Sequence, residues 1–125
     1  MEAIASMFSH QKLYVYQKAI TYFSKIADIL VQIPPGNKDI VSQLRRAAIS
    51  IALNIAEGAG KTSSMDKRRF YSIARGSALE CAAIFDLLVI LKLSSEEELS
   101  ECRALLSEIA SMFSAMTQVN KKVEG

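Results

Sequence analysis

The positions of the helix breakers constrain the fold of this chain more than any other feature. Its only two prolines, Pro34 and Pro35, are adjacent, and Gly36 follows them directly. A second break lies at Gly58 and Gly60. Proline disrupts the interior of a helix and glycine is a weak helix former. These two points therefore leave long stretches of chain in which a helix can run without interruption.

Apolar residues in those stretches recur at steps of three and four, which is the spacing along one face of an α-helix. The four apolar stripes are Leu13, Tyr16, Ile20, Phe23, Ala27 and Leu30; Val41, Leu44, Ala48, Ile51 and Ile55; Phe70, Ile73, Ser77, Glu80 or Cys81, Ile84, Leu88 and Leu91; and Leu99, Cys102, Leu106, Ile109, Phe113 and Met116. The pattern predicts helices over residues 11–33, 38–57, 64–93 and 95–122. Ser95 and Glu98 have the spacing of a capping box at the start of the last one.

Short links between long helices favour antiparallel neighbours. We therefore expect one all-α domain over residues 1–125, folded as an antiparallel up-down-up-down four-helix bundle. No sustained alternation of apolar and polar residues predicts a strand.

Composition excludes several classes of protein. Hydrophobic residues make up 50% of the 125 residues, and 15 Lys and Arg against 13 Asp and Glu give a net charge of +2. This balance is not typical of a disordered chain or of a strongly basic nucleic-acid tail. Residues 1–12 lack the pattern of a secretory signal, and the longest apolar run, from Cys81 to Leu91, is too short to span a membrane. With two cysteines, Cys81 and Cys102, at different helix levels, we expect no disulfide and a cytoplasmic location without membrane association.

The second helix has more apolar surface than one core-facing stripe requires. No charged residue lies between Arg46 and Glu57. The third helix also carries apolar residues outside its main stripe, and a helix that is apolar nearly all round is buried on more than one side. We expect a homo-oligomer, and the alternative of a monomer with an unusually apolar surface stays open. The residues of the expected oligomer interface on the second helix are Ile49, Ala52, Leu53 and Ala56.

A few polar residues interrupt these apolar surfaces. Glu80 falls at a core position of the third helix, where a carboxylate needs a partner. We expect Arg46 to pair with Glu80 or with Glu57 and so to fix how the two helices meet. The alternative, a buried catalytic acid, lacks a neighbouring base or nucleophile.

The familiar catalytic and metal-binding motifs are incomplete in this sequence. Gly60, Lys61 and Thr62 resemble the end of a P-loop, but Ile55 stands where the motif requires its first glycine. The single histidine, His10, cannot complete the Glu-x-x-His pairs of a di-iron bundle. We therefore predict no catalytic residue, no metal site, no cofactor and no enzymatic activity.

Positive charge is concentrated in the middle of the chain. Residues 61–93 contain six basic and three acidic groups, whereas residues 94–125 contain three basic and six acidic groups. Such a basic cluster can bind the phosphates of RNA or DNA, and Tyr71 lies nearby. A solvated helix start without a ligand is the alternative. The candidate nucleic-acid-binding residues are Lys61, Lys67, Arg68, Arg69 and Arg75.

Two segments carry a family resemblance. Residues 43–58, QLRRAAISIALNIAEG, are similar to the signature QLRRAxxSIxxNIAEG, and residues 70–80, FYSIARGSALE, are similar to FxxIAxGSAxE. Both signatures belong to the four helix bundle protein family, whose members include proteins encoded within intervening sequences of bacterial 23S rRNA genes. The motif residues carried over from the family are Arg45, Arg46, Asn54, Glu57, Gly58, Gly76, Ser77 and Glu80.

The resemblance implies a bacterial antiparallel four-helix bundle that assembles as a homopentamer and has no established molecular activity. A related group acts as the accessory protein of diversity-generating retroelements, where a basic pentamer engages nucleic acid and a reverse transcriptase. The expected partners are thus further copies of the chain, RNA or DNA, and a reverse transcriptase or a ribosome-associated protein. The net charge of +2 is lower than in a dedicated nucleic-acid binder. An oligomeric adaptor that binds protein and no nucleic acid stays open as the alternative.

Overall fold

A computed structural model describes residues 8–117, which fold into four α-helices and contain no β-strand. The all-α class is therefore confirmed. A short 3-10 helix over Ser9–Lys12 precedes the first α-helix. The α-helices are α1 (Tyr14–Leu30), α2 (Lys38–Ala59), α3 (Ser64–Ile90) and α4 (Glu96–Thr117). Residues 118–122 of the predicted last helix, and both ends of the proposed domain, lie outside the described residues.

The turns between these helices have clear local causes. After α1, Pro34 and Pro35 stop the helix, and Gly36 adopts a φ of 96°, which favours glycine. The side chain of Ser63 caps α3 by accepting a hydrogen bond from the Asp66 amide at 3.1 Å. Ser95 does the same for α4 through the amide of Glu98, also at 3.1 Å, as its spacing predicts.

One core joins all four helices. Its largest fully buried side chains include Tyr22 of α1, Leu44 of α2, Phe85 of α3 and Phe113 of α4. The stripes predicted for α2 and α4 face this core, apart from the half-buried Val41 and Met116 at their ends. The sequence therefore orients α2 and α4 correctly.

The stripe predicted for α1 is displaced around the helix, whereas the stripe predicted for α3 is buried at Ser77, Cys81, Ile84 and Leu88 and fails towards its ends. Ile20 is 46% exposed and Ile73 is 45% exposed, although the predicted stripes assign both to the core. Small residues next to them are buried instead, with Ala19 at 2% and Ala74 at 0% exposure. Alanine lets neighbouring helices approach closely. The face that each helix buries is therefore the one with small residues beside a large aromatic side chain, and some large aliphatic side chains stay exposed.

Polar contacts connect neighbouring helices at their margins. The Lys18 ammonium lies 2.7 Å from Glu108, and this hydrogen bond raises the pKa of Lys18. Each helix packs against its neighbours in the chain, and α1 also packs against α4. Further polar contacts between helices include Lys25 to Glu101 at 2.6 Å, Ser50 to Ser77 at 2.7 Å, Arg75 to Ser114 at 2.8 Å and Arg103 to Asp86 at 3.0 Å.

The two cysteines, Cys81 and Cys102, are both buried and unbridged. Burial raises the pKa of each thiol to about 11. Both are therefore neutral thiols that pack as small apolar groups. Within residues 8–117, no helix has the length and apolar content needed to cross a membrane.

Candidate nucleic-acid interface

The predicted basic cluster lies where α2 ends and α3 begins, and the structure divides its five members by what they contact. Lys61 and Arg69 lie over the same aromatic ring, that of Phe70. The Lys61 ammonium is 5.0 Å and the Arg69 guanidinium 4.8 Å from the ring centroid. Cation–π contacts of this kind orient the two groups without neutralising their charge. Lys61 also lies 3.8 Å from the carboxylate of Glu57, and Arg69 is exposed.

Lys67 contacts backbone carbonyl groups and not the ring of Phe70. Its ammonium donates hydrogen bonds to the carbonyl oxygens of Ala59 at 3.1 Å and Gly58 at 3.4 Å. These carbonyls are at the last turn of α2, where the helix dipole places partial negative charge. Lys67 therefore closes the C-terminus of α2, a role that the charge pattern alone did not indicate.

Arg75 is separated from the other members. It faces α4, where its Nε donates to the Ser114 hydroxyl at 2.8 Å. Arg68 is half-buried in the second turn of α3. The structure thus brings Lys61, Lys67 and Arg69 to one corner of the molecule and directs Arg75 into the contact between α3 and α4.

The same corner contains a close approach between α2 and α3 at Gly58. A Cβ atom at this position would lie 2.7 Å from Cε1 of Tyr71 and 3.2 Å from Cβ of Phe70. Gly58 therefore lets α3 pack directly on the end of α2. Gly58 is buried inside the helix and not at its end, which lies two residues later than the sequence predicted.

Three motif residues form a hydrogen-bonded cluster between α2 and α3. The hydroxyls of Ser50 and Ser77 are 2.7 Å apart, and the Asn54 amide donates to the Ser50 hydroxyl at 3.0 Å. Ser77 is only 8% exposed, so the cluster satisfies polar groups that the packing of the two helices covers. The sequence singles out Asn54 and Ser77 as motif residues but does not identify the hydrogen bond between Ser50 and Ser77.

The expected ion pair of Arg46 with Glu80 or Glu57 is wrong. Arg46 and Glu80 are both exposed, and neither takes part in an ion pair or hydrogen bond among residues 8–117. Glu57 pairs with Lys61 instead. The predicted stripe of α3 left Glu80 and Cys81 as alternatives, and the structure buries Cys81 and turns Glu80 to the surface. Arg45 is exposed as well.

The outer face of α2 carries the residues expected at an oligomer interface. Leu53 is 60% exposed and Ile49 is 38% exposed, while Ala52 and Ala56 are half-buried. Ile49 and Leu53 are one helical turn apart, so the face on which the sequence predicts an interface carries two neighbouring exposed aliphatic side chains.

A groove of ≈ 500 Å³ between α3 and α4 was not predicted. Leu79 and Arg103 line it together with alanine and serine side chains that include Ala82, Ser107 and Ala110. Small residues on the outward face of α4 were the signal available in the sequence. Arg103 forms ion pairs with Asp86 and Glu96 at one end of the groove. Within the described part of the chain, no group of His, Cys, Asp or Glu side chains could hold a metal ion.

These features define an all-helical protein whose polar motif residues either stabilise the contact between α2 and α3 or lie exposed beside it. Residues 11–115 match the model of the 23S rRNA-intervening sequence protein family. The match spans most of the chain, so the protein belongs to this family, and the resemblance seen in its motifs is confirmed. The family description names no enzymatic activity. A comparison with curated proteins finds no match to the chain.

Proposed function

We propose that the protein is a non-enzymatic, homo-oligomeric four-helix bundle that binds RNA or DNA through the basic corner at the start of α3. The observation that carries the binding site is the pair of cations, Lys61 and Arg69, that meet on the Phe70 ring. An aromatic ring flanked by cations suits a phosphate backbone with exposed bases. We also propose a reducing, cytoplasmic location, which the two buried free thiols support.

We propose that the helices run up-down-up-down and antiparallel. Lys18 and Lys25 of α1 bind Glu108 and Glu101 of α4, so residue numbers rise on one helix as they fall on the other. Between α3 and α4 the same order holds, in Arg75 to Ser114 and Asp86 to Arg103. Short links between neighbouring helices support the same arrangement.

We propose that copies of the chain associate through the apolar outer face of α2, with five subunits as the family resemblance implies. Burying Leu53 and its neighbours would remove apolar surface from water, at about 25 cal/mol per Å². The replacements Ile49→Lys and Leu53→Lys should therefore reduce the particle mass measured by light scattering. A mass unchanged by both substitutions would exclude this face as the interface.

Assembly supports nucleic-acid binding by a chain of low net charge. Each subunit contributes one basic corner, and repetition of that corner lets weak contacts act together on one polymer. The free chain carries only +2 overall, but the positive charge is concentrated in the segment that begins at Lys61. On the basis of the motif resemblance, we propose a reverse transcriptase or a ribosome-associated protein as the protein partner, which co-purification would identify.

Binding to fluorescently labelled single-stranded RNA and DNA, measured by anisotropy over a range of salt concentrations, tests the proposal. We expect affinity to fall steeply with salt, because binding releases counterions from the phosphates. Arg69→Glu, and the pair Arg68→Glu and Arg69→Glu, should weaken binding and reduce the log–log salt slope by about 0.7 for each phosphate that the variant no longer neutralises. Lys38→Glu is the matched control, since it makes the same charge change at the far end of α2.

The outcomes separate the competing functions. Equal losses in the Arg69 and Lys38 variants would show that net charge matters and the corner does not. Absence of binding to either polymer at low salt would overturn the nucleic-acid proposal, and recovery of a stoichiometric protein partner in that case would favour the adaptor.

A further inference from the structure

A cleft of ≈ 480 Å³ lies between the 3-10 helix that precedes α1 and the last turns of α2. Its volume falls within the roughly 300–1,000 Å³ that is usual for small-molecule sites. The cleft shares Lys61 with the basic corner, and it also contains His10, which the proposed function does not use. The residues that line it are His10, Leu53, Ala56, Glu57, Gly60 and Lys61.

Local hydrogen bonds fix the position of His10. The backbone amide of Phe8 donates to the side-chain oxygen of Gln11 at 3.2 Å, and the amide of Gln11 donates to the Phe8 carbonyl at 3.1 Å. The carbonyl of His10 accepts a hydrogen bond from the amide of Leu13, also at 3.1 Å. The turn closed by these bonds packs against both α1 and α2. It therefore holds His10 beside the end of α2.

The His10 ring belongs to a small group of aromatic side chains. It stacks on Phe8 with an interplanar angle of 20° and ring centroids 6.0 Å apart, and it meets Tyr16 edge-on at 4.7 Å. Phe8 is exposed and His10 is half-buried. Within residues 8–117, no hydrogen bond joins either ring nitrogen of His10 to another residue. The aromatic contacts thus hold the ring in place and leave its nitrogens available to a ligand in the cleft.

The charges in the cleft favour an uncharged ring over a phosphate. The carboxylate of Glu57 lies 3.8 Å from the Lys61 ammonium, so the cleft contains one negative and one positive group. The Glu57 carboxylate repels a phosphate, whereas a nucleobase has no charge and both donates and accepts hydrogen bonds. Leu53 and Ala56 add apolar surface, on which the face of a base can rest.

Lys61 connects the cleft to the basic corner. Its ammonium lies 5.0 Å from the centroid of the Phe70 ring, on which Arg69 also lies. A nucleic-acid strand whose phosphates bind at this corner therefore has bases within reach of the cleft. Only a single strand can place a base there, because the bases of a duplex are paired and stacked inside the helix.

We propose that the cleft takes one unstacked base of a single-stranded RNA or DNA and that the base stacks on the ring of His10. This inference rests on the proposed nucleic-acid binding and deepens it: the corner binds the backbone of any strand, and the cleft favours single strands. Stacking of bases on aromatic side chains contributes affinity with little dependence on sequence. Loss of the His10 ring should therefore weaken single-strand binding about fivefold or more.

The test compares two replacements of His10 that remove its titratable group alike. His10→Phe keeps an aromatic ring, and His10→Leu does not. Anisotropy measures the affinity of each variant for a labelled single strand and for the same strand annealed to its complement. We expect His10→Leu to bind the single strand about fivefold or more weakly than His10→Phe, and the two variants to bind the duplex equally. Their log–log salt slopes should be the same, because stacking neutralises no phosphate.

Tyr14→Leu is the matched control. Tyr14 is 61% exposed, and the Lys18 ammonium lies 5.2 Å from its ring centroid, so it presents a ring and a cation outside the cleft. Its replacement should leave both affinities unchanged. Leu53 and Ala56 are not replaced, because they also belong to the face proposed for association. Circular dichroism and light scattering verify that each variant keeps the helix content and the mass of the wild type.

The results separate this inference from the proposed function. Absence of binding to either polymer at low salt overturns both. If Arg69→Glu weakens binding while His10→Leu binds the single strand as tightly as His10→Phe, the corner is a binding site and the cleft takes no base. Equal losses of single-strand and duplex binding in His10→Leu would also overturn the cleft as a site for a base.

Discussion

At the scale of single residues, the two glycines at the end of α2, Gly58 and Gly60, differ in what surrounds them. Gly58 is required because the Tyr71 ring occupies the space of its side chain. Tyr71 is only 7% exposed and stacks on Phe113 with ring centroids 6.0 Å apart, so it cannot move aside easily. Gly60, two residues further on, has no such neighbour, and its nearest foreign atom is the Glu57 carbonyl oxygen at 3.6 Å from the position of a Cβ.

We predict that Gly58→Ala lowers the free energy of unfolding by about 1–3 kcal/mol, the usual cost of overpacking. Gly60→Ala should be neutral or raise it by up to about 1 kcal/mol, because its φ of −83° suits alanine. Urea denaturation of both variants at one protein concentration gives the comparison. Equal effects of the two substitutions would mean that loss of glycine as such, and not contact with Tyr71, determines the result.

At the scale of elements, two basic residues at the start of α3 have different roles. Lys67 stabilises the end of α2, and Arg69 lies on the outside of it. Lys67 and Arg69 are two residues apart, yet Lys67 bonds to the α2 carbonyls while Arg69 lies exposed over the Phe70 ring. A sequence-based charge count treats the two residues alike. Substitution of Lys67 should mainly lower stability, whereas substitution of Arg69 should mainly weaken nucleic-acid binding.

We predict that Lys67→Met lowers the free energy of unfolding by about 0.5–1 kcal/mol, because the carbonyls at the end of α2 lose a cation and its hydrogen bonds. Arg69→Met should leave stability within about 0.5 kcal/mol of the wild type and weaken nucleic-acid binding more than Lys67→Met does. Thermal denaturation and anisotropy on the same preparations measure both quantities. A larger stability loss in Arg69→Met would contradict this assignment.

The elements themselves were predictable from the sequence, and their orientation was predictable only in part. Prolines, glycines and capping serines mark where helices begin and end because they act locally. The rotation of α1, and the burial of Ala74 in place of Ile73 on α3, depend on how closely small residues such as Ala19 and Ala74 let another helix approach, which the apolar pattern of one helix does not show. On α3 the stripe left Glu80 and Cys81 as alternatives, and taking Glu80 as the core residue produced the wrong pairing with Arg46.

The candidate site was predictable to a similar extent. The concentration of positive charge near Lys61 and the exposed face at Leu53 follow from counting and helical phase. The function of Lys67 as a helix cap and the contact between Ser50 and Ser77 depend on the geometry between two helices. Neither geometry is encoded within a single segment of the sequence.

At the scale of the whole molecule, the core joins ionisable groups from three helices. Tyr22 of α1, Cys81 of α3 and Cys102 of α4 are all buried, and burial raises the pKa of each above its ordinary value. For the two thiols the rise is from 9.0 to about 11. The folded protein therefore holds these protons at a pH at which the unfolded chain has begun to release them.

We predict that the protein loses stability on the alkaline side. Between pH 9 and 11 the unfolded state binds fewer protons than the folded state, because the thiol pKa is raised in the folded state. The full stability is therefore present below pH 9 and is lost as the pH rises from 9 towards 11. By pH 10 each thiol should lower the free energy of unfolding by about 1 kcal/mol relative to pH 8. Urea denaturation at pH 8, 9 and 10 measures the loss. Replacing Cys81 and Cys102 with alanine will lower stability at every pH by opening space in the core, but it should flatten the dependence over this window. If the double variant keeps the wild-type slope, the buried thiols are not its source.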